Sequence, residues 1–225
     1  MKTILSILGL VTLSLPVNAQ TNIEVNVGPS FSNVSMQGLA SSFRPDRTLR
    51  TGLQAQVLAS KNIGNHFELA TGLIYTEKGF NIKEGINMDV LNLPVKIGVE
   101  AITTLRYIEV PLDLKYNISS GGVNVFAFAG PTIGYAISGN VRTRANFIFD
   151  VNISNTSLNL NQNMYNRVEI GGNAGTGIGL PLGDGVLTAQ VNFNKGFSRV
   201  IDNTLVDLRL KNYGFGMNIG YKISL

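Results

Sequence analysis

The stretch Asn212 to Leu225, NYGFGMNIGYKISL, is the part of the chain that most restricts its fold. Every odd-numbered residue in it is apolar or aromatic, and the even-numbered residues are mostly glycine or polar. Strict alternation of this kind indicates a β-strand with two different faces. The apolar face has a tyrosine near each end, and the spacing of Tyr213 and Tyr221 covers roughly 20 Å of a tilted strand, close to the ~25 Å apolar band of an outer-membrane barrel. This stretch predicts a lipid-facing strand that closes a barrel.

The composition of the whole chain agrees with a membrane environment. Charged residues make up 14% of the sequence, against about 25% in a typical soluble domain. No apolar run beyond the N-terminal region approaches the length of a spanning helix, so a membrane protein of this sequence must be a closed β-barrel. The formal net charge of +4 is modest, and no nucleic-acid-binding motif is present, so we expect no nucleic-acid partner.

The N-terminal residues have the pattern of a secretion signal. Lys2 is followed by an uncharged apolar run from Ile4 to Leu15, and Pro16 breaks that run before the small residue Ala19. The run is too short for a transmembrane anchor, which needs about 20 residues. The sequence therefore predicts a signal peptide over residues 1–19 and an outer-membrane β-barrel domain over residues 20–225.

Alternating segments recur along the rest of the chain. We predict strands over residues 22–31, 49–60, 66–79, 105–117, 123–138, 166–181, 187–194 and 212–225. The connections between them alternate between short turns and long segments, the latter over residues 32–48, 77–104, 139–165 and 199–211. This asymmetry is typical of outer-membrane barrels, which have short periplasmic turns and longer outer loops. The sequence predicts an all-β fold, a transmembrane eight-stranded antiparallel up-and-down β-barrel that follows a cleaved signal peptide.

Two features of this barrel stay open at the level of the sequence. The segment 86–101 is compatible with an extra hairpin or with extra strands. Both faces of the fifth strand carry apolar residues, so its pattern does not decide whether Phe126 and Phe128 point inward or outward.

The phases of the strands place aromatic residues at two levels of the outer surface. Tyr75, Tyr135 and Tyr213 are expected near the outer membrane interface, and Phe67, Tyr116 and Tyr221 near the inner one. Two aromatic girdles are a mark of outer-membrane barrels. A soluble lipocalin-like barrel is the rival fold, and it would have apolar residues inside; the low charge and the girdles argue against it.

Several pieces of the chain resemble the PorT-like outer-membrane β-barrel family of Gram-negative bacteria: LATGLIYTEKGF, YIEVPLDLKYN, FAFAGPTIGY, GNAGTGIGLPL and GYKISL. The resemblance implies an eight-stranded barrel in the cell outer membrane, often without an assigned activity. One founding member of that family takes part in a protein secretion system. A protein partner in a secretion or transport complex is therefore left open for this chain.

The same phases direct charged side chains into the barrel. We expect a barrel-interior network of Glu24, Glu68, Glu109, Asp113, Lys115, Glu169 and Lys222. Buried ionised groups need partners, and these residues could form a packed plug or a path for protons or ions. An eight-stranded barrel is just wide enough for side chains to fill, which favours the plug.

Arginines near the outer segments are candidates for contacts with lipid phosphates: Arg44, Arg47, Arg50, Arg142 and Arg144. Outer-leaflet lipids carry phosphate groups, and a guanidinium can bind a phosphate in a bidentate manner. The alternative is an ordinary solvated loop. Outer-membrane lipid is thus the one partner that the residues themselves suggest.

Catalytic and metal chemistry find little support in the sequence. His66 is the only histidine, there is no cysteine, and no G-x-S-x-G motif occurs. We therefore expect no enzyme activity, no cofactor and no metal site, and a structural or solvent-exposed role for His66. The function that we predict is a small outer-membrane barrel with a structural or binding role carried by its extracellular loops, not an open pore. A barrel subunit of a secretion or transport complex is the alternative, and a membrane-embedded enzyme is a more distant one.

Overall fold

The computed structural model describes residues 21–37, 47–90, 93–146, 150–160, 166–198, 201–203 and 208–225. The predicted signal peptide and Arg44 lie outside the described residues, and so do the side chain of Arg47 and those over residues 83–99. No helix with the length and apolar character needed to cross a bilayer occurs in the described part of the chain.

The secondary structure of these residues is made up of ten β-strands. Their bounds in chain order are β1 Thr21–Gln37, β2 Arg47–Asn62, β3 Phe67–Val90, β4 Leu93–Ser120, β5 Val123–Asn146, β6 Asp150–Ser157, β7 Val168–Leu182, β8 Gly185–Gly196, β9 Ile201–Asn203 and β10 Leu208–Ser224.

Eight of these strands form a closed antiparallel barrel. Their order around the wall is β1-β2-β3-β4-β5-β7-β8-β10, and β10 pairs with β1 to close the ring. The short strands β6 and β9 lie outside this ring order, where β6 extends the edge of β5 and β9 pairs with the start of β10. The prediction of an eight-stranded antiparallel up-and-down barrel is confirmed.

The two ends of the barrel differ in how their strands are connected. Tight turns over residues 63–66, 121–122 and 183–184 join strands at one end, which we call the short-turn end. Gly121, Gly122 and Gly183 take φ values of 60°, 83° and 61° in these turns, a region that suits glycine. Long strand extensions lie at the opposite end, which we call the hairpin end. In outer-membrane barrels the short turns are periplasmic and the longer segments lie outside.

The segment that the sequence left open, residues 86–101, belongs to an extended hairpin. The backbones of β3 and β4 stay paired as far as Val90 and Leu93, so the long connection predicted over 77–104 consists mostly of paired strand. The predicted loop over 139–165 is likewise shorter, because β5 continues to Asn146 and pairs with β6. Polar and apolar side chains alternate along a strand only where its two faces meet different environments. Beyond the membrane both faces of a hairpin meet water, so the alternation is lost although the backbone pairing continues.

The two faces of the wall separate as the alternation of the last strand predicts. On β10, Met217 and Ile219 are 49% and 64% exposed on the outer face, whereas Asn218 between them is 2% exposed in the lumen. The interior of the barrel is therefore mostly polar and its outer surface mostly apolar. Phe126 and Phe128 are 2% and 8% exposed, so both rings face the lumen.

Candidate functional site

Two ion pairs span the lumen near the short-turn end. The Nζ of Lys115 on β4 lies 2.9 Å from Oε2 of Glu24 on β1, and the Nζ of Lys222 on β10 lies 2.8 Å from Oε1 of Glu68 on β3. Each pair joins strands that are three apart around the ring, so the side chains meet across the lumen and not along the wall. We call these four residues the short-turn network.

Neutral groups complete the hydrogen bonding of this network. Thr188 donates to Oε1 of Glu24 at 3.2 Å, and Asn117 donates to Oε2 of Glu68 at 3.2 Å. The hydroxyl of Ser60 also donates to Glu68. With two carboxylates and two ammonium groups the short-turn network is balanced in charge, which is the condition under which buried ions are tolerated.

A second network lies toward the hairpin end, and sequence reasoning missed its central residue. The Nζ of Lys78 on β3 lies 2.5 Å from Oε1 of Glu109 on β4 and 2.5 Å from Oε1 of Glu169 on β7. Asn212 donates to Oε2 of Glu169 at 2.5 Å and to the hydroxyl of Tyr107 at 3.4 Å. We call these five residues the hairpin-side network. Lys78 continues the even-numbered inward phase that begins at Glu68, so extending that phase would have found it.

Amides fill the lumen between the two networks. Asn218 of β10 donates to Gln54 of β2 at 2.9 Å and to Asn192 of β8 at 3.1 Å. Asp113 of β4, which the sequence placed inside, accepts from Asn173 of β7 at 3.0 Å. The structure thus places all seven predicted interior residues on the lumen side, but it divides six of them between two networks and leaves Asp113 with an amide partner.

Two phenylalanine rings occupy the space left by the glycines of β7. A Cβ added at Gly175 would lie 2.5 Å from Cζ of Phe128, and one added at Gly177 would lie 2.4 Å from Cζ of Phe126. These distances are too short for any side chain, so only glycine admits the rings in this arrangement. The Nζ of Lys115 lies 4.6 Å from the centre of the Phe126 ring, which joins the rings to the short-turn network.

Apolar side chains cover the hairpin end of the lumen. Val34, Phe80 and Leu210 form one buried cluster. Leu105, Tyr107, Ala136 and Leu160 form another, and Leu160 comes from the segment after β6, which bends back over the barrel.

The six predicted girdle residues all lie on the outer face. Tyr75 and Tyr135 are in register with the same residue of β4, Ile108, from its two sides. Near the short-turn end, Phe67 and Tyr116 are paired in register, with ring centroids 5.1 Å apart. The outward phase of β10 carries the last two residues, Tyr213 toward the hairpin end and Tyr221 toward the short-turn end.

The predicted arginines take different positions. Arg50 donates through Nε to the hydroxyl of Thr104 at 2.8 Å, and its Nη2 lies 3.4 Å from Oε2 of Glu77. Arg142 lines a surface cavity, and Arg144, two residues further along β5, does not. Burial lowers the pKa of Arg50, and the like charges of Arg106 and Arg142 lower it further, although Glu77 opposes them.

The cavity beside Arg142 has a volume of about 450 Å³ and lies between β4, β5 and the segment that follows β5. Three guanidinium groups line it, those of Arg106, Arg142 and Arg167. We call it the arginine cavity. The guanidinium of Arg167 lies 4.9 Å above the ring of Tyr135, a residue of the outer girdle, so the cavity begins at the level of that girdle.

Comparison with known proteins identifies the family. The family model of the outer membrane protein beta-barrel domain matches residues 18–202. The chain belongs to this family. No curated protein matches the sequence.

Several solved structures are similar to this outer-membrane barrel at low sequence identity. A major outer membrane protein from Thermus thermophilus has 11% identity and a TM-score of 0.48, with 92% of this chain and 100% of that chain covered. OprG from Pseudomonas aeruginosa has 10% identity and a TM-score of 0.46, with coverages of 91% and 97%. Neisserial surface protein A has 12% identity and a TM-score of 0.43, with coverages of 90% and 96%.

Membership of this family locates the chain in the cell outer membrane. The apolar outer face then meets lipid. His66 lies at the short-turn end of this outer-membrane barrel, where its Nδ1 is 3.1 Å from the carbonyl oxygen of Asn117 and its ring is 5.7 Å from Tyr116. Within the described ranges, no group of three or more His, Cys, Asp or Glu side chains is arranged to hold a metal ion.

Proposed function

We propose that this outer-membrane barrel is a sealed, non-enzymatic scaffold that binds its ligand at the hairpin end. The observation that carries the proposal is the set of contacts across the lumen. Side chains from strands three or four apart touch at several heights, from Lys222 with Glu68 to Asn212 with Tyr107.

These contacts leave little of the cross-section for a water column. An eight-stranded barrel has an interior just wide enough for side chains to fill it. Gln54, Glu24, Glu68 and Glu109 are each at most 2% exposed, although all are polar. The glycine positions, where a gap would be expected, receive the rings of Phe126 and Phe128. Apolar clusters then cover the hairpin end, so the lumen is blocked at several successive levels.

The size of the hairpin end supports a binding role. The strands β3 and β4 run on past Tyr75 and Ile108 until Val90 pairs with Leu93, well beyond the level of the outer girdle. A barrel wall by itself would not need these extensions. Surface segments held on a rigid scaffold are where binding residues concentrate.

The position of His66 supports the non-enzymatic part of the proposal. A serine hydrolase or an acyltransferase would need a base beside a nucleophile. The hydrogen bond of this imidazole is to a backbone carbonyl oxygen, and the ring leans on Tyr116 at the membrane boundary. That environment suits a residue that fixes a turn.

The PorT-like resemblance of the sequence supports a second candidate, a barrel subunit of a secretion or transport complex. Purification from native membranes in a mild detergent separates the two. A partner that copurifies in a fixed ratio would favour the complex, and the isolated barrel would favour the scaffold.

Single-channel conductance in a planar bilayer tests the sealed lumen. We expect the purified protein to insert without steady current steps. The double variant Phe126→Ala/Phe128→Ala serves as a control, because it removes both rings while the glycines opposite them remain, and it should show brief or steady openings. Steady steps from the unaltered protein would overturn the sealed lumen.

A shortened variant tests the role of the hairpin end. Replacement of residues 141–164 by a tight turn removes the upper part of β5 and all of β6 but leaves the wall between the girdles intact. We expect this variant to insert into the outer membrane but to fail to restore the phenotype of cells that lack the protein. Full function of the shortened barrel would contradict a binding role for this segment.

A further inference from the structure

The arginine cavity combines a concave surface with a concentration of positive charge. Arg106, Arg142 and Arg167 line it together with polar residues that include Asn155, Ser157 and Asn159. No aspartate or glutamate is among the residues that line it in the described part of the chain. Its volume of about 450 Å³ is within the range of small-molecule sites and is many times the ~30 Å³ share of one water molecule.

Neighbouring groups hold two of these guanidiniums in place. The Nε of Arg106 lies 3.0 Å from Oε1 of Glu77, and its Nη1 is 3.3 Å from Oδ1 of Asn140. Arg167 donates through Nε to the carbonyl oxygen of Ala136 at 3.2 Å and rests on the ring of Tyr135. Guanidinium groups fixed in this way lose less freedom when they bind an anion than free side chains would.

The local charge favours an anion. Glu77 is the carboxylate that pairs with both Arg50 and Arg106. Arg106, Arg142 and Arg167 bring three guanidinium groups to the cavity, and no carboxylate is among its described lining residues. The electrostatic repulsion among these cations is relieved when an anion enters.

The position of the cavity restricts the chemical class of its ligand further. It begins at the outer aromatic girdle, where the headgroups of outer-leaflet lipids lie. Guanidiniums bind phosphate through paired hydrogen bonds, whereas the remaining amide and hydroxyl groups suit a sugar. We propose that the arginine cavity binds a phosphoryl group carried on a sugar-sized headgroup. The inference rests on the proposed function, in that it names the ligand class of the hairpin end.

Binding of three probes by the purified protein in mild detergent tests this proposal. The probes are diphosphoryl lipid A, the same lipid after enzymatic removal of its phosphates, and soluble glucose 1-phosphate, each followed by native mass spectrometry. We expect the phosphorylated lipid to bind and the dephosphorylated lipid to bind at least about tenfold more weakly. Binding of glucose 1-phosphate as well would show that the sugar phosphate is recognised without its lipid chains, and binding of the lipid alone would identify a headgroup site.

The variant Arg142→Gln should weaken the binding of the phosphorylated probe by about tenfold or more. The matched control is Arg144→Gln, because it removes the same charge from the same strand outside the cavity, and it should bind like the unaltered protein. Heat-dependent mobility on a detergent gel confirms that both variants are folded barrels.

Equal binding of the two lipids, equal losses in the two variants, or no binding of any phosphorylated probe would overturn the phosphoryl site. The conductance of the same preparation is measured separately. A barrel that is silent in the bilayer but does not bind phosphate would refute the site and leave the sealed scaffold standing.

Discussion

At the scale of single residues, the hairpin-side network depends on Lys78. Its ammonium group contacts Glu109 and Glu169, and it lies 5.2 Å from the centre of the Tyr107 ring. The side chain is 9% exposed and the two carboxylates are 2% and 5% exposed. An uncompensated charge at such a position is costly, because the protein interior solvates ions poorly.

We therefore expect Lys78→Met to lower the free energy of unfolding by about 3–5 kcal/mol, as the loss of one partner from a buried ion pair does. The two carboxylates would face each other without a cation. Urea unfolding of the purified barrel in lipid vesicles measures the change.

Lys195→Met is the control for this substitution. Lys195 lies on the exposed face of β8, so removal of its charge should change the unfolding free energy by about 0.5 kcal/mol or less. Similar losses in the two lysine variants would mean that the ion contacts of Lys78 contribute no special stability.

At the scale of elements, β5 and β7 fit together through a difference in side-chain size. The rings of Phe126 and Phe128 need the glycines of β7, which also come within reach of the β8 backbone. An alanine at Gly177 would press on the Phe126 ring and on the carbonyl oxygen of Ala189, which lies 2.7 Å from the added Cβ. The ring can move, and the backbone cannot.

We predict that Gly177→Ala destabilises the barrel by about 1–3 kcal/mol through overpacking. Combined with Phe126→Leu, the same change should cost less than the sum of the two single variants, by about 0.5–3 kcal/mol, because the smaller side chain removes the clash with the ring, although the contact with the Ala189 carbonyl oxygen remains. Unfolding titrations of the four proteins give the coupling. Gly64→Ala is the neutral control, since a Cβ there meets no atom within 4 Å. Strict additivity would contradict the fit between the two strands.

The outward phase of β10 leads to a prediction that depends on depth. Met217 and Ile219 lie on the lipid-facing side near the middle of the membrane, and Tyr213 lies at the outer girdle. Arginine at Met217 or Ile219 should cost about 2–4 kcal/mol, and arginine at Tyr213 about 0–1 kcal/mol. Equal tolerance of arginine at both depths, measured by unfolding in vesicles, would be incompatible with a lipid-facing strand.

The elements show where prediction from sequence succeeds. A strand between a polar lumen and lipid alternates between polar and apolar side chains. The two faces of β10 and the seven predicted interior residues can therefore be assigned from the phase of the alternation alone. On β5 both faces are apolar because Phe126 and Phe128 fill a gap left by another strand, and no local pattern reports such a distant cause. The hairpin extensions could not be assigned as strands for a related reason, since their two faces share one solvent. The arginine cavity joins β4, β5 and residues near β7, and only the folded chain brings Arg106, Arg142 and Arg167 together.

At the scale of the whole molecule, the seam between β1 and β10 determines whether the wall is a closed ring. Ile23 is in register with Ile223, and the amide of Leu225 donates to the carbonyl oxygen of Thr21 at 2.9 Å. Because the natural sequence has no cysteine, a pair of introduced thiols would report on this seam without background.

We predict that Ile23→Cys/Ile223→Cys forms a disulfide under mild oxidation in the folded barrel, and that the cross-link stabilises the barrel by about 2–4 kcal/mol. Ile23→Cys/Ile219→Cys, in which the second thiol is four residues out of register, should not cross-link. Gel mobility under non-reducing conditions distinguishes the products. Efficient cross-linking of the mismatched pair would show that the seam slides.

The ion pairs across the lumen also bear on how accurately such a wall assembles. The side chains of a strand change faces with every residue, so a slip of one position would carry its entire inward set to the lipid. A slipped β4 would turn Glu109, Asp113 and Lys115 to the outer face, where a charge is costly in hydrocarbon. Asp113 would lie between the two girdles, and Glu109 and Lys115 would lie near them, where the cost of a charge falls to about 0–1 kcal/mol. Glu24 would then lose its partner Lys115, and Lys78 would keep only Glu169 of its two carboxylates. The interior charges thereby discriminate against misregistered closure of the barrel.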